Sequence, residues 1–171
     1  MAGVTLNSSQ CYQAYGLLIK SDFDLSLVGL KALNSSQAFS LEILRIKNEG
    51  SRNKDREYLD DETFVSKQFG YYFKKGIGLF EFILGKQIKV YPYAEEPSVD
   101  FIRTLLNYPI ASILYQRGFF SLHASAVQFE GKVYIFPGKS MSGKSSIAAY
   151  IIKNGGNLIT EDTAVIDVHN G

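Results

Sequence analysis

The sequence has one cysteine, two histidines and no tryptophan among its 171 residues. Because Cys11 stands alone, a disulfide within the chain and a cysteine-rich metal site are excluded, and this usage suits a reducing compartment. The sequence also has no excess of one charge, because its 18 Lys and Arg residues nearly balance its 17 Asp and Glu residues and give a formal net charge of +1. A general nucleic-acid binder needs clustered basic residues to meet phosphates, so we expect no nucleic-acid partner.

A long uncharged apolar run is missing as well. The apolar stretch at residues 16–33 is interrupted by four charged side chains, Lys20, Asp22, Asp24 and Lys31. That interruption argues against a membrane span and a membrane partner. The first basic residue is Lys20, so the N-terminus does not have the charged start of a secretory signal. With 46% apolar and 20% charged residues, the composition is typical of a globular protein, and we expect a cytoplasmic one.

Aromatic and aliphatic residues are frequent in the first hundred positions. Residues 12–20 predict one strand and residues 41–46 a second. Between 69 and 93, short aromatic runs alternate with glycine-containing turns and predict a small antiparallel meander. Eight of the eleven residues from 52 to 62 are charged, with both signs interspersed, which indicates a solvated loop. Residues 1–97 are therefore predicted to form a β-rich N-terminal domain.

A break near Pro97 separates this domain from the rest of the chain. Ser98 is suited to cap a helix, because its hydroxyl can accept a hydrogen bond from the first helical N–H groups. Pro109 is expected to kink or restart the helix, and Gly118 to end it. Residues 98–118 are accordingly predicted to be a helical connector.

The last segment, residues 119–171, begins with a predicted β-hairpin. Residues 119–129 and 132–136 have the composition of strands, and Glu130–Gly131 suits a tight turn between them. The second strand leads into Gly138–Ser145, which matches the phosphate-loop pattern G-x-x-x-x-G-K-[ST] at every fixed position. Apolar residues then recur with helical spacing (Ile147, Ala148, Ile151 and Ile152) up to an Asn-Gly-Gly stop.

The residue types in this loop are those that a phosphate chain requires. Gly138 and Gly143 allow the backbone to curl until its N–H groups point inward, and the next helix adds its positive dipole end. Lys144 can reach the β and γ phosphates, and the Ser145 hydroxyl can ligate Mg²⁺. We therefore predict a binding site for ATP and Mg²⁺ formed by Gly138, Lys139, Ser140, Met141, Ser142, Gly143, Lys144, Ser145 and Ser146.

Two adjacent acids, Glu161 and Asp162, follow the loop within a β-rich run at residues 157–168. On their own, paired acids can simply mark a strand end that faces solvent. We expect this run to pair beside the strand that leads into the loop, which would bring both carboxylates near the γ-phosphate and its metal. There one carboxylate could activate an incoming hydroxyl and the other could hold Mg²⁺. His123, on the partner strand of the hairpin, is a candidate neighbour of the site.

These residues together resemble a known family. His123, the loop Gly138–Ser145 and the pair Glu161–Asp162 resemble the active-site set of the HPr kinase/phosphorylase catalytic domain. The run from Arg117 to Ala126 is similar to HPr-kinase-like proteins of unassigned substrate, some of which act in peptide-modification clusters. The resemblance covers about residues 117–168. It implies an α/β (α+β) fold, with a small β-rich domain followed by the start of a P-loop kinase core related to phosphoenolpyruvate carboxykinase.

The resemblance also implies a reaction, the ATP-dependent phosphorylation of a serine hydroxyl on a protein, a peptide or a small molecule. Lys144 and Ser145 would handle the phosphates and Mg²⁺, Glu161 would act as general base, and Asp162 would support the metal or the charge. His123 would lie beside them. The family usually has Asp-Asp at the acidic pair, so Glu161 departs from it by one methylene.

Other interpretations remain open. One is a non-catalytic module that binds ATP or GTP for regulation, and a weaker one is a P-loop ATPase coupled to motion, which would usually need an arginine finger and a longer parallel sheet. The family's catalytic domain continues beyond its acidic pair. We therefore expect the chain to be a fragment, or its last strand to be covered by a homo-oligomer or a partner chain.

Overall fold

The computed structural model describes residues 9–34, 38–46, 61–161 and 163–168. The protein is of the mixed α+β class, with a large β-sheet and few helices. By its internal contacts the chain divides into two compact units, Met1–Arg117 and Gly118–Gly171. Most of the charged run at residues 52–62, and all of Asp162, lie outside the described residues.

The first unit is built on one eight-stranded sheet. Its strands are β1 (Gln10–Ala14), β2 (Leu17–Ser21), β3 (Ala32–Leu33), β4 (Leu41–Arg45), β5 (Glu62–Val65), β6 (Phe69–Lys74), β7 (Gly78–Ile83) and β8 (Gln87–Pro92). They lie side by side in the order β3-β1-β2-β4-β8-β7-β6-β5. Strand β4 pairs in parallel with both of its neighbours, and the remaining pairs are antiparallel. The predicted meander is confirmed as β6, β7 and β8.

The first hairpin departs from the sequence-based expectation. We predicted one strand over residues 12–20, but β1 and β2 are separated there by a turn at Tyr15 and Gly16. Both turn residues have positive φ, 54° and 71°, which is the geometry of a two-residue hairpin turn. Asn or Asp normally occupies the first position of such a turn. Because Tyr15 stands there instead, no residue in the sequence signalled the turn.

Two helices, α1 (Val99–Leu106) and α2 (Tyr108–Gln116), belong to the first unit. The Ser98 hydroxyl accepts a hydrogen bond from the Phe101 N–H at 3.1 Å, and Pro109 lies in the first turn of α2, so the predicted cap and restart are confirmed. The Phe101 ring packs against the rings of Phe23 and Phe80, with centroids 5.2 and 5.8 Å away. This buried aromatic contact attaches α1 to the sheet. No helix in the described part of the chain combines the length and the apolar character needed to cross a bilayer.

The second unit has four strands and one helix: β9 (Phe119–Phe129), β10 (Lys132–Pro137), α3 (Lys144–Lys153), β11 (Asn157–Thr160) and β12 (Thr163–Asp167). Strands β9 and β10 form the predicted hairpin. Strands β11 and β12 pair antiparallel with the opposite edge of β9. The expected pairing of the acidic run directly beside β10 is therefore wrong, because the 11-residue β9 offers a longer free edge and lies between them.

Small side chains form the interior of this unit. Ala124, Ala126 and Ala164 make a buried cluster, and Ala148 of α3 is also buried. Ile147 and Ile152, which the helical spacing placed on the same inner face as Ala148, are instead exposed. Because alanines bury little apolar area, the backbone ladders of β9 contribute much of the organisation of the second unit.

The turn between β9 and β10 generates a stability prediction. Glu130 is exposed and has a φ of 48°, a left-handed conformation that is costly for a side chain other than Gly, Asn or Asp. The substitution Glu130→Asn should stabilise the hairpin by about 0.5 to 1 kcal/mol, since Asn-Gly is the preferred pair for this turn. Hydrogen exchange of the β9 and β10 amides measures the change.

The matched control for this substitution is Glu96→Asn, at an exposed loop position outside the left-handed residues. It should leave the exchange rates unchanged. Faster exchange in Glu130→Asn than in the parent chain would contradict the assigned turn geometry.

Candidate functional site

The two edges of β9 bring the loop and the acidic segment together at the middle of that strand. On one edge Pro137, the last residue of β10, pairs with Ala124. On the other edge Thr163, the first residue of β12, pairs with His123. Because β10 and β12 are both antiparallel to β9, they run in the same direction. Two strand spacings of about 4.8 Å therefore separate the end of β10 from the start of β12, roughly 10 Å in all.

The loop after β10 turns back on itself before α3 begins. The Ser142 N–H donates to the Lys139 carbonyl at 3.2 Å, and Met141 between them is fully exposed with a φ of 65°. Gly143 occupies the N-cap position of α3 with a φ of 88°, which favours glycine. Without a side chain, Gly143 leaves the first N–H groups of α3 without the cap that Ser, Thr or Asp would supply.

The ammonium group of Lys144 lies within this loop. Its Nζ donates to the carbonyl oxygens of Gly138 at 2.8 Å and Lys139 at 2.9 Å. Only 9% of the residue is exposed, although it follows directly on a surface turn. An ammonium group carries three N–H donors, and these two bonds use two of them. The loop therefore encloses a positive charge at its centre.

Glycine is required at position 138 because the loop packs closely there, and the backbone φ of this residue is not the reason. A Cβ atom placed on it would lie 2.5 Å from Ser142 Oγ and 3.4 Å from Ser142 Cβ. The loop therefore folds so tightly that its first and fifth residues touch. This contact sets the width of the turn in which Lys144 lies.

On the other side of β9, two hydroxyl groups fix the backbone around Glu161. Ser125 Oγ donates to the Glu161 carbonyl at 3.1 Å, and Thr160 Oγ1 donates to the Thr163 carbonyl at 3.1 Å. The Glu161 side chain itself is exposed. Ser125 and Thr160 were not among the residues predicted from the sequence. The signal for Ser125 was its position two residues after His123, which places both on one face of β9.

The remaining predicted residues lie at the surface of the loop or beside it. His123 is exposed, as are Lys139, Ser140, Ser145 and Ser146. Among the described residues, no three His, Cys, Asp or Glu side chains form a group that could hold a metal. Of the two predicted Mg²⁺ ligands, Ser145 has an exposed hydroxyl and Asp162 lies outside the described residues. The structure thus brings the loop, His123 and the Glu161 backbone to the middle of β9.

Comparisons of the chain with protein families, with curated proteins and with solved structures found no match. The resemblance to HPr kinases therefore depends on the residues quoted for it, namely His123, the loop Gly138–Ser145 and the acidic pair. The functional proposal is therefore based on these residues and on the geometry of the second unit.

Proposed function

We propose that the second unit is the start of a P-loop kinase core of the HPr kinase and phosphoenolpyruvate carboxykinase type. It would bind the phosphate chain of ATP and transfer the γ-phosphoryl group to a serine hydroxyl of a protein, a peptide or a small molecule. One observation carries this proposal: the Lys144 ammonium is held inside the loop by the carbonyls of Gly138 and Lys139. The amine is thereby positioned where a phosphate group within the loop would meet it.

The charge on Lys144 supports an anionic ligand. The residue is almost fully buried, and in the described part of the chain no carboxylate lies within ion-pair distance of its amine. Burying a charge without a partner of opposite sign is costly. A phosphate oxygen would supply that opposite charge, and the first N–H groups of α3 would add donors.

The residues of the loop also suit Mg²⁺. When bound, the ion would neutralise charge on the β- and γ-phosphate oxygens. The Ser145 hydroxyl and the Asp162 carboxylate would hold it, since both offer the oxygen ligands that Mg²⁺ prefers. Lys144 would stabilise the same phosphate oxygens by donating hydrogen bonds to them.

Glu161 would act on the acceptor. Its carboxylate would accept the proton of the serine hydroxyl while the serine oxygen forms a bond to the γ-phosphorus. The bond between that phosphorus and the bridging oxygen would break, so that the products are phosphoserine and ADP. His123 pairs with Thr163 across the ladder and would lie beside this carboxylate.

A second candidate function is a nucleotide-binding regulatory module that transfers no phosphate. It is favoured by the exposure of the Glu161 side chain, because a catalytic base usually works where water is excluded. Incubation with γ-labelled ATP and Mg²⁺ separates the two functions. Transfer of label to serine acceptors supports the kinase, release of label as inorganic phosphate alone supports an ATPase, and stable binding of intact ATP supports the module.

The Lys144 ammonium generates the first prediction for nucleotide binding. Lys144→Ala should weaken the binding of ATP·Mg²⁺ roughly tenfold to a hundredfold, because a hydrogen bond to a charged group contributes about 1.5 to 3 kcal/mol. Lys132→Ala is the matched control, since its exposed side chain stands at the first residue of β10, at the opposite end of that strand from the loop. The control should change the affinity less than threefold. Isothermal titration measures both, and equal affinity of Lys144→Ala and the parent chain would refute the site.

The contact between Gly138 and Ser142 generates the second prediction for nucleotide binding. Gly138→Ala should lower ATP affinity about threefold to tenfold, because the added Cβ would lie too close to Ser142 Oγ and displace that side chain within the loop. Ser142→Ala alone should bind ATP nearly as well as the parent chain. The double variant should recover most of the loss, because the remaining Cβ contact of 3.4 Å is close to an ordinary one. A double variant as weak as Gly138→Ala alone would show that this contact does not set the loop.

A further inference from the structure

We propose that Ser125 is the positioning residue of this site. Its buried hydroxyl holds the Glu161 backbone in place, so that the carboxylate reaches the acceptor hydroxyl beside the middle of β9. The inference rests on the proposed function and names a residue outside the loop and outside the acidic pair. Its basis is the hydrogen bond of 3.1 Å from Ser125 Oγ to the Glu161 carbonyl.

The register of the sheet brings these two residues together. Leu158 pairs with Val127, but Thr160 pairs with Ala126, so the ladder shifts by one position at Ile159. The new register continues at Thr163, which pairs with His123. Glu161 consequently stands opposite Ser125. Without the shift at Ile159, Thr160 would stand there instead. Bulges of this kind often re-aim a side chain beside an active site.

Ser125 has no other evident reason to be polar. It is fully buried, and its neighbours in β9 are the buried residues Ala124 and Ala126. Burying a hydroxyl is unfavourable unless the hydroxyl forms a hydrogen bond. The Glu161 carbonyl accepts that bond. The Thr160 hydroxyl donates to the Thr163 carbonyl, so the backbone on both sides of Glu161 is held by side-chain hydrogen bonds.

This arrangement assigns separate tasks to the two sides of β9. The loop residues determine how tightly ATP binds, whereas Ser125 determines where the base stands. The Ser125 hydroxyl forms its hydrogen bond with the backbone of Glu161, so removing this hydroxyl should leave nucleotide affinity intact. The transfer step is sensitive to small displacements of a catalytic group, so the same change should lower the rate.

The test measures the turnover of γ-labelled ATP·Mg²⁺ by the full chain, counting label released to water together with label transferred to a pool of serine-containing peptides. Ser125→Ala should lower kcat at least about tenfold while KM for ATP changes less than twofold. Ser125→Cys preserves the side-chain size but offers only a weak S–H donor, so its kcat should lie closer to that of Ser125→Ala than to that of the parent. Ser121→Ala, on the same face of β9 and opposite Val165, is the matched control and should turn over ATP like the parent chain.

Each outcome has one meaning. Turnover by Ser125→Cys equal to the parent, with Ser125→Ala impaired, would assign Ser125 to packing alone and overturn the inference. Unchanged turnover in Ser125→Ala would overturn it as well, while leaving the proposed function in place. A parent chain that binds ATP but neither releases nor transfers phosphate would overturn the kinase function, and the inference with it.

Discussion

The two hydrogen-bonded ladders along β9 are the constraint on which the candidate site depends. One ladder joins β9 to β10 and ends at the pair Ala124–Pro137, immediately before the loop. The other joins β9 to β12 and starts at the pair His123–Thr163, immediately after the acidic segment. Because one ladder ends and the other begins at neighbouring residues of one strand, segments distant in sequence meet at the middle of β9. The buried cluster of this unit consists of three alanines, so the backbone pairing determines which segments are neighbours.

Electrostatic interactions and steric contacts then act on the segments that these ladders bring together. The loop carbonyls of Gly138 and Lys139 hold the Lys144 ammonium, and the contact between Gly138 and Ser142 Oγ keeps the turn narrow. A narrow turn that holds a buried cation suits a phosphate group, because the positive charge is already in place when the ligand arrives. In the proposed function, binding and transfer would depend on different parts of the second unit, the loop on one side and the Glu161 turn on the other.

Much of this arrangement could be predicted from local signals. The turn at Glu130–Gly131, the fixed positions of the loop and the Asn-Gly-Gly stop after α3 each reflect a backbone conformation that few residues adopt, and the hairpin and α3 lie where these signals placed them. The aromatic meander at residues 69–92 followed from its alternation and turns.

What could not be predicted depends on pairings between distant segments. No feature of the sequence indicates which edge of β9 pairs with β12, and we expected the acidic run to pair beside β10. The sequence does not indicate the one-residue shift at Ile159 either, because this shift follows from the fit of two strands and not from the propensity of any residue. The role of Ser125 depends on that shift, so it emerges only from the structure.

The central claim is that the residues that meet at the middle of β9 form a single phosphate-binding site. Amide chemical shifts recorded during a titration with ATP·Mg²⁺ test it most directly, because each backbone N–H reports on its own surroundings. The account predicts large shifts at residues 138–146, smaller ones at residues 160–163, and unchanged shifts along the β9–β10 turn. Shifts absent from the loop, or concentrated in the first unit, would contradict it.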